Sequence, residues 1–116
     1  MAKIYVAGND LKRARNVMDN LIKYGHLITY DWVATFDEGP TKKKAIDEAN
    51  AVRQSDILVY LWAIDQESAR YEAGMAMGLE KIIIVSGRTD AFFFQLPNIY
   101  CVHFDDEIVS IIKDLF

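Results

Sequence analysis

Glu72 is the residue best placed to do chemistry. It falls early in the segment Ser68-Ala-Arg-Tyr-Glu-Ala-Gly-Met-Ala-Met-Gly78, between the apolar runs Asp56-Ile-Leu-Val-Tyr-Leu-Trp62 and Lys81-Ile-Ile-Ile-Val-Ser-Gly87. Two such runs joined by a helix-length segment form a parallel β-α-β unit. In these sheets ligands bind at the carboxyl ends of strands and the amino ends of the following helices. Near a helix start the dipole favours an ionised carboxylate. An ionised carboxylate in a crevice can attack an anomeric carbon and form a covalent glycosyl-enzyme. The plain alternative is a surface glutamate that only complements the dipole.

The elements that position Glu72 follow from hydrophobic spacing. Lys3 to Gly8 reads as a strand, and Asn9 or Asp10 caps a helix whose Leu11, Ala14, Met18, Leu21 and Ile22 recur at helical spacing up to Gly25. His26 to Trp32 is a second strand, Val33 to Pro40 a loop, and Thr41 to Ser55 a helix. Asp56 to Trp62 is the third strand, Ser68 to Glu80 a helix, and Lys81 to Val85 the fourth strand. Asn98 to Phe104 is the fifth strand, and Asp105 to Phe116 a closing helix. Strands alternating with helices predict an α/β three-layer sandwich around a five-stranded parallel sheet. The expected order is flavodoxin-like (Rossmann-like), 2-1-3-4-5, with the site where strands 1 and 3 diverge. That order gathers Gly8, Asn9, Asp31, Trp62 and Glu72 around one crevice. The small residues Ala73, Gly74, Ala76 and Gly78 predict a helix packed closely on its neighbours, because glycine inside a helix costs about 1 kcal/mol against alanine.

At 116 residues, a single domain over 1–116 is expected, with 52% apolar residues to fill its core. No apolar run approaches the roughly 20 residues of a membrane helix. Met-Ala-Lys runs directly into a strand, so no signal peptide is expected. Cys101 is the only cysteine, which excludes an internal disulfide and fits a cytoplasmic protein. The net charge of −4 argues against non-specific nucleic-acid binding. His26 and His103 lack metal-ligand spacing, and neither a dinucleotide fingerprint nor a Gly-x-x-x-x-Gly-Lys loop is present. No metal or organic cofactor is expected.

The order Ile4-Tyr-Val-Ala-Gly8, Gln54-Ser-Asp-Ile-Leu-Val59, Tyr71-Glu-Ala-Gly-Met-Ala76 and Gly78-Leu-Glu-Lys-Ile-Ile-Ile84 resembles the nucleoside 2-deoxyribosyltransferase family, which includes a branch of nucleotide N-glycosidases. The likeness extends to Phe94 and Leu96-Pro97 in the penultimate loop. It implies a nucleoside or nucleotide substrate and makes Glu72 the nucleophile at C1′ of a deoxyribosyl group. Tyr5 matches the family tyrosine that hydrogen-bonds that glutamate. The leaving base needs a proton, hence a second carboxylic acid. The family has an aspartate eight residues before the one that opens strand 3. Counting back from Asp56 gives Glu48, with Asp47 beside it. Many members have glycine two residues before the nucleophile, where this chain has Arg70. An arginine there narrows the crevice or pairs with a phosphate. In the N-glycosidase branch, donors from this loop and the loop after strand 1 hold a 5′-phosphate. Ser68, Arg70, Asn9 and Arg13 are the candidate donors here. Family members are oligomers, and Phe92-Phe93-Phe94 in one loop fits a subunit contact in a homodimer or larger assembly.

Each residue also has a structural reading. Tyr5 is an ordinary strand aromatic, Glu48 lies on a solvated helix face, Asp56 caps a helix, and Trp32 and Trp62 fill core. On that side stands a rival function: a module of the same fold that binds a nucleotide or an NAD-derived ligand without turning it over. An NAD-glycohydrolase-like domain is a third reading, with similar carboxylate chemistry.

Overall fold

The computed structural model describes residues 1–116. Its five strands are β1 (Lys3–Ala7), β2 (Leu27–Ile28), β3 (Ile57–Leu61), β4 (Ile82–Ser86) and β5 (Ile99–Val102). Four α-helices connect or follow them: α1 (Leu11–Lys23), α2 (Lys42–Gln54), α3 (Ser68–Gly78) and α4 (Ile108–Leu115). All neighbouring strands pair in parallel, in the order β2-β1-β3-β4-β5. This is the flavodoxin-like α/β arrangement that the alternating pattern predicts.

Side-chain alternation along the strands builds two cores. Ile4, Val6, Ile57, Val59, Leu61 and Ile84 point to α1 and α4, and meet Ala14, Met18, Leu21, Ile108 and Ile112. Tyr5, Ala7, Leu58, Tyr60, Ile83 and Val85 point the other way, to Ala51 and Val52 of α2 and Ala69, Ala73 and Ala76 of α3. One consequence decides the site. The strand period of two puts Tyr5 on the same face as α2 and α3.

Several elements are shorter than expected, β5 among them at four residues rather than seven. β2 is two residues long rather than seven, although the Thr29 amide still donates to Ile4 O. Beyond it, Asp31 Oδ1 accepts from the Ala34 amide, and the Trp32 indole donates to Val6 O at 2.7 Å. An aspartate turn therefore lifts the chain off the sheet edge, and an indole takes the place of a strand amide. The closing helix begins only at Ile108, after a 3-10 turn at Asp105–Glu107. α3 ends at Gly78 because Glu80 adopts φ 57, the Glu80 amide donates to Met77 O and the Lys81 amide to Ala76 O.

The small residues of α3 divide by face. Ala73 and Ala76 press on the sheet, whereas Cβ atoms added at Gly74 or Gly78 would meet nothing within 4 Å. The expected close packing holds for the alanines and not for the glycines. Asp56 lies at the amino edge of the sheet, where its carboxylate accepts from the Lys3 amide at 2.9 Å. Phe94 packs edge-on against Tyr60, while Phe92 and Phe93 stay exposed. No helix is long and apolar enough to cross a membrane.

Candidate active site

Three side chains from three elements meet at the β1/β3 divergence. Tyr5 rises from β1, Glu48 faces it from α2, and Glu72 from the second turn of α3. The Tyr5 hydroxyl lies within hydrogen-bonding reach of both carboxylates, at 3.1 Å from Glu48 Oε1 and in a short contact with Glu72 Oε2. A phenol has one hydrogen, so it donates to one carboxylate only. The other bond forms when a protonated carboxyl donates to the phenolic oxygen. The trio is thus fully bonded when the two glutamates hold one proton between them, the usual outcome for crowded carboxylates.

Burial sets where that proton resides. Glu72 is only 6% exposed. Desolvation pushes its carboxyl up to about 8, Glu48 adds to the rise, and the bond from Tyr5 opposes it. This corrects the expectation that the helix dipole keeps Glu72 ionised, because loss of water outweighs a half-charge at the helix end. Desolvation also holds the Tyr5 phenol far above its ordinary range, with the charges of Glu72 and Glu48 acting the same way. Tyr5 therefore stays a donor at every physiological pH.

The glutamates open into a cavity of about 680 Å³, within the usual range for small-molecule sites. Gly8 and Asn9 after β1 form one side, and Ser68 at the start of α3 another. A Cβ on Gly8 would lie 3.2 Å from the Leu61 Cβ, so glycine lets the ends of β1 and β3 approach. Asn9 Nδ2 donates to Asp65 O at 2.5 Å, tying the loop after β1 to the loop before α3. The facing wall is Trp32 and the segment from Thr35 to Pro40, with Lys44 of α2 above it. The Lys44 ammonium donates to Thr35 O at 2.5 Å and fastens that segment to α2.

The structure brings Tyr5, Gly8, Asn9, Glu48, Ser68 and Glu72 together. It places five other expected site residues elsewhere. Asp47 turns outward to Lys43 at 2.9 Å. Asp31 pairs with Arg15 at 2.7 Å. Arg13 lies on the other side of the sheet, where its guanidinium binds both oxygens of Asp105 and the carbonyls of Trp62 and Ser86. Arg70 donates to Gln66 O and Ile64 O and braces the loop before its own helix. Trp62 lines a separate crevice, beneath Arg88.

Other residues of the cavity carried little sequence signal. Phe36 and Asp37 sit in a segment that reads only as a loop, and Lys44 in a run of lysines that reads as a solvated helix start. Gln66 is buried and donates to Leu61 O at 2.7 Å while accepting from the Ala63 amide. Nothing in its sequence context marks that role. No group of three or more His, Cys, Asp or Glu side chains converges as a metal site.

Fold and site define an α/β protein with a flavodoxin-like sheet and a tyrosine-bridged pair of carboxylates at its switch point. The Clostridium botulinum CMP N-glycosidase BcmB has a similar structure, with a TM-score of 0.73 over 98% of this chain and 99% of that one. The two are 12% identical in sequence, so the likeness is one of fold. No protein-family model and no curated protein matches the chain.

Proposed function

We propose that this protein cleaves, or transfers at, the N-glycosidic bond of a deoxynucleoside or its 5′-monophosphate. The observation that carries the reading is the pairing of Glu48 and Glu72 on one tyrosine hydroxyl at a cavity of nucleotide size. Glycosidases that retain configuration hold two carboxyl groups about 5–5.5 Å apart, one as nucleophile and one as acid. Carboxylates sharing a phenolic oxygen are close enough for that division and too close for an intervening water.

In the proposed reaction the shared proton passes to Glu48, and the Glu72 oxygen thereby ionised attacks C1′. The bond from C1′ to the base nitrogen breaks, its electron pair stays on the base, and Glu48 supplies the proton. Water, or a second base, then attacks C1′ and gives its proton to Glu48, and Glu72 leaves as the carboxylate. Tyr5 keeps its proton and orients Glu72. The amino end of α3 with Ser68, and the loop at Gly8 and Asn9, offer donors to a 5′-phosphate.

A second reading rests on the raised pKa of Glu72. A protonated carboxyl is a poor nucleophile, and the same cavity then binds a nucleotide or an NAD-derived ligand without turnover. Incubation with deoxynucleosides, their monophosphates, CMP and NAD, followed by chromatography for free base, separates the two. Base release lost in Glu72→Ala and Glu72→Gln supports the enzyme. Thermal stabilisation by one of these ligands without base release supports the binding module.

The proposal includes a homodimer or larger assembly. Ile46 of α2 and Tyr71, Met75 and Leu79 along α3 leave an apolar outer face exposed beside the Glu48–Glu72 groove.

A further inference from the structure

Beyond the Glu72 cavity, a second crevice of about 300 Å³ lies between α3 and the 3-10 turn at Phe92–Gln95. Its lining includes two arginines, Arg70 and Arg88, and no aspartate or glutamate. In a chain with 17 acidic against 13 basic residues, that is a local reversal of sign. Most of the remaining lining is apolar, including the flat rings of Trp62, Phe93 and Phe94.

Tyr60 provides an independent sign of a ligand. It lines this crevice, is only 3% exposed, and its buried hydroxyl has no hydrogen-bond partner. Buried polar atoms are nearly always bonded, so an orphan calls for a missing partner. Burial raises the phenol, and the charge of Arg70, the approach of its guanidinium to the phenolic oxygen and the charge of Arg88 pull it back; none of these accepts the phenolic hydrogen. What it lacks is an acceptor. Arg70 cannot supply one, since a guanidinium only donates, and its terminal nitrogens are held by Gln66 O and Ile64 O. Arg88 is less committed. Its Nε pairs with the exposed Asp90, and its guanidinium lies 5.1 Å from the centre of the Trp62 ring. An exposed pair of that kind is weak and easily exchanged.

We propose that this crevice is a second small-molecule site, which takes a compact aromatic carboxylate. The ring lies against Trp62 and the phenylalanines, the carboxylate accepts from the Tyr60 hydroxyl, and Arg88 supplies the charge. The site is separate from the Glu72 cavity and stands whether or not that cavity is catalytic.

The two tryptophans make the test specific, because Trp32 lines the Glu72 cavity and Trp62 this crevice. The ¹⁵N-labelled protein is titrated with 2-naphthoate and, separately, with uncharged 2-naphthamide, and both indole resonances are followed. The expected result is a saturable shift of the Trp62 indole with that of Trp32 unmoved, and binding of the amide weaker by roughly tenfold or more. Arg88→Gln lowers the affinity for 2-naphthoate by a similar factor. Tyr60→Phe lowers it while leaving the melting temperature unchanged or higher, since an unpaired buried hydroxyl is removed. A silent Trp62, equal binding of acid and amide, or variants that bind 2-naphthoate like the wild type would each overturn the proposal.

Discussion

At the scale of single residues, burial of Glu72 links stability and activity. Its carboxyl titrates near 8 in the folded state, against about 4.3 in an unfolded chain. A raised carboxyl pKa means the folded state holds the proton more tightly. Its contribution to stability is complete below the unfolded value and is lost as pH rises through the folded one. Glu72→Gln, neutral at every pH, escapes that loss. Its melting temperature should exceed that of the wild type at pH 9 by more than at pH 5, while base release falls by at least about 10³-fold, as when a nucleophile is removed. The pair shares one proton and the leaving base needs it, so base release should fall as pH rises through about 8, where that proton is lost. Tyr5→Phe sharpens the argument. It deletes the bond that lowers the Glu72 pKa, so the falling limb of the pH–rate profile should move to higher pH, while loss of the orienting bond lowers the rate at pH 7 by about 10²-fold. An unmoved limb would show that Tyr5 does not hold the nucleophile. Sequence made Glu72 legible through its place near a helix start, and its pairing with Tyr5 only through the family likeness. It could not show the protonation, because loss of water depends on what α2 and the sheet place around the carboxyl.

At the scale of elements, hydrophobic period identified every strand and helix and their order, but not where each one ends. The ends are set by side chains that bond locally. Asp31 and Trp32 cut β2 short, and no periodicity records such bonds. Arg13 is a related case. Its type and position suit a phosphate, yet Asp105, 92 residues away in sequence, claims it. Glu80 offers a quantitative test of an element end. It closes α3 at φ 57, a conformation that costs an L-residue about 1 kcal/mol or more and glycine almost nothing. Its amide and the next complete the bonds that end the helix. Glu80→Gly should therefore stabilise the protein by about 0.5–1 kcal/mol, after allowing for the greater freedom of glycine in the unfolded chain. Urea denaturation with an unchanged m-value is the measurement. A loss of stability would mean that Glu80 makes a favourable contact that offsets the strain.

At the scale of the whole molecule, the exposed apolar surface is not scattered. Ile46, Tyr71 and Leu79 are each about half exposed or more, on the outer face of adjoining helices. Gly74 and Gly78 on the same helix leave room for a close approach. A monomer seldom keeps such a face open to water. The groove between α2 and α3 also runs from Met75 and Tyr71 down to Glu48 and Glu72. A second copy laid on this face would close the outer end of the groove and dry the carboxylate pair, and a symmetric contact would do so for both copies at once. Light scattering on a sizing column should therefore give about twice the chain mass of 13.3 kDa. Leu79→Glu and Ile46→Glu place charges on the face without touching the cavity lining. Each should shift the mass towards the monomer and lower base release per chain, with activity recovering as protein concentration is raised. Separation of those effects is informative. A monomeric variant with full activity at low concentration would leave the contact real and make each cavity complete within one chain. Monomeric wild type at working concentrations would remove the dimer altogether.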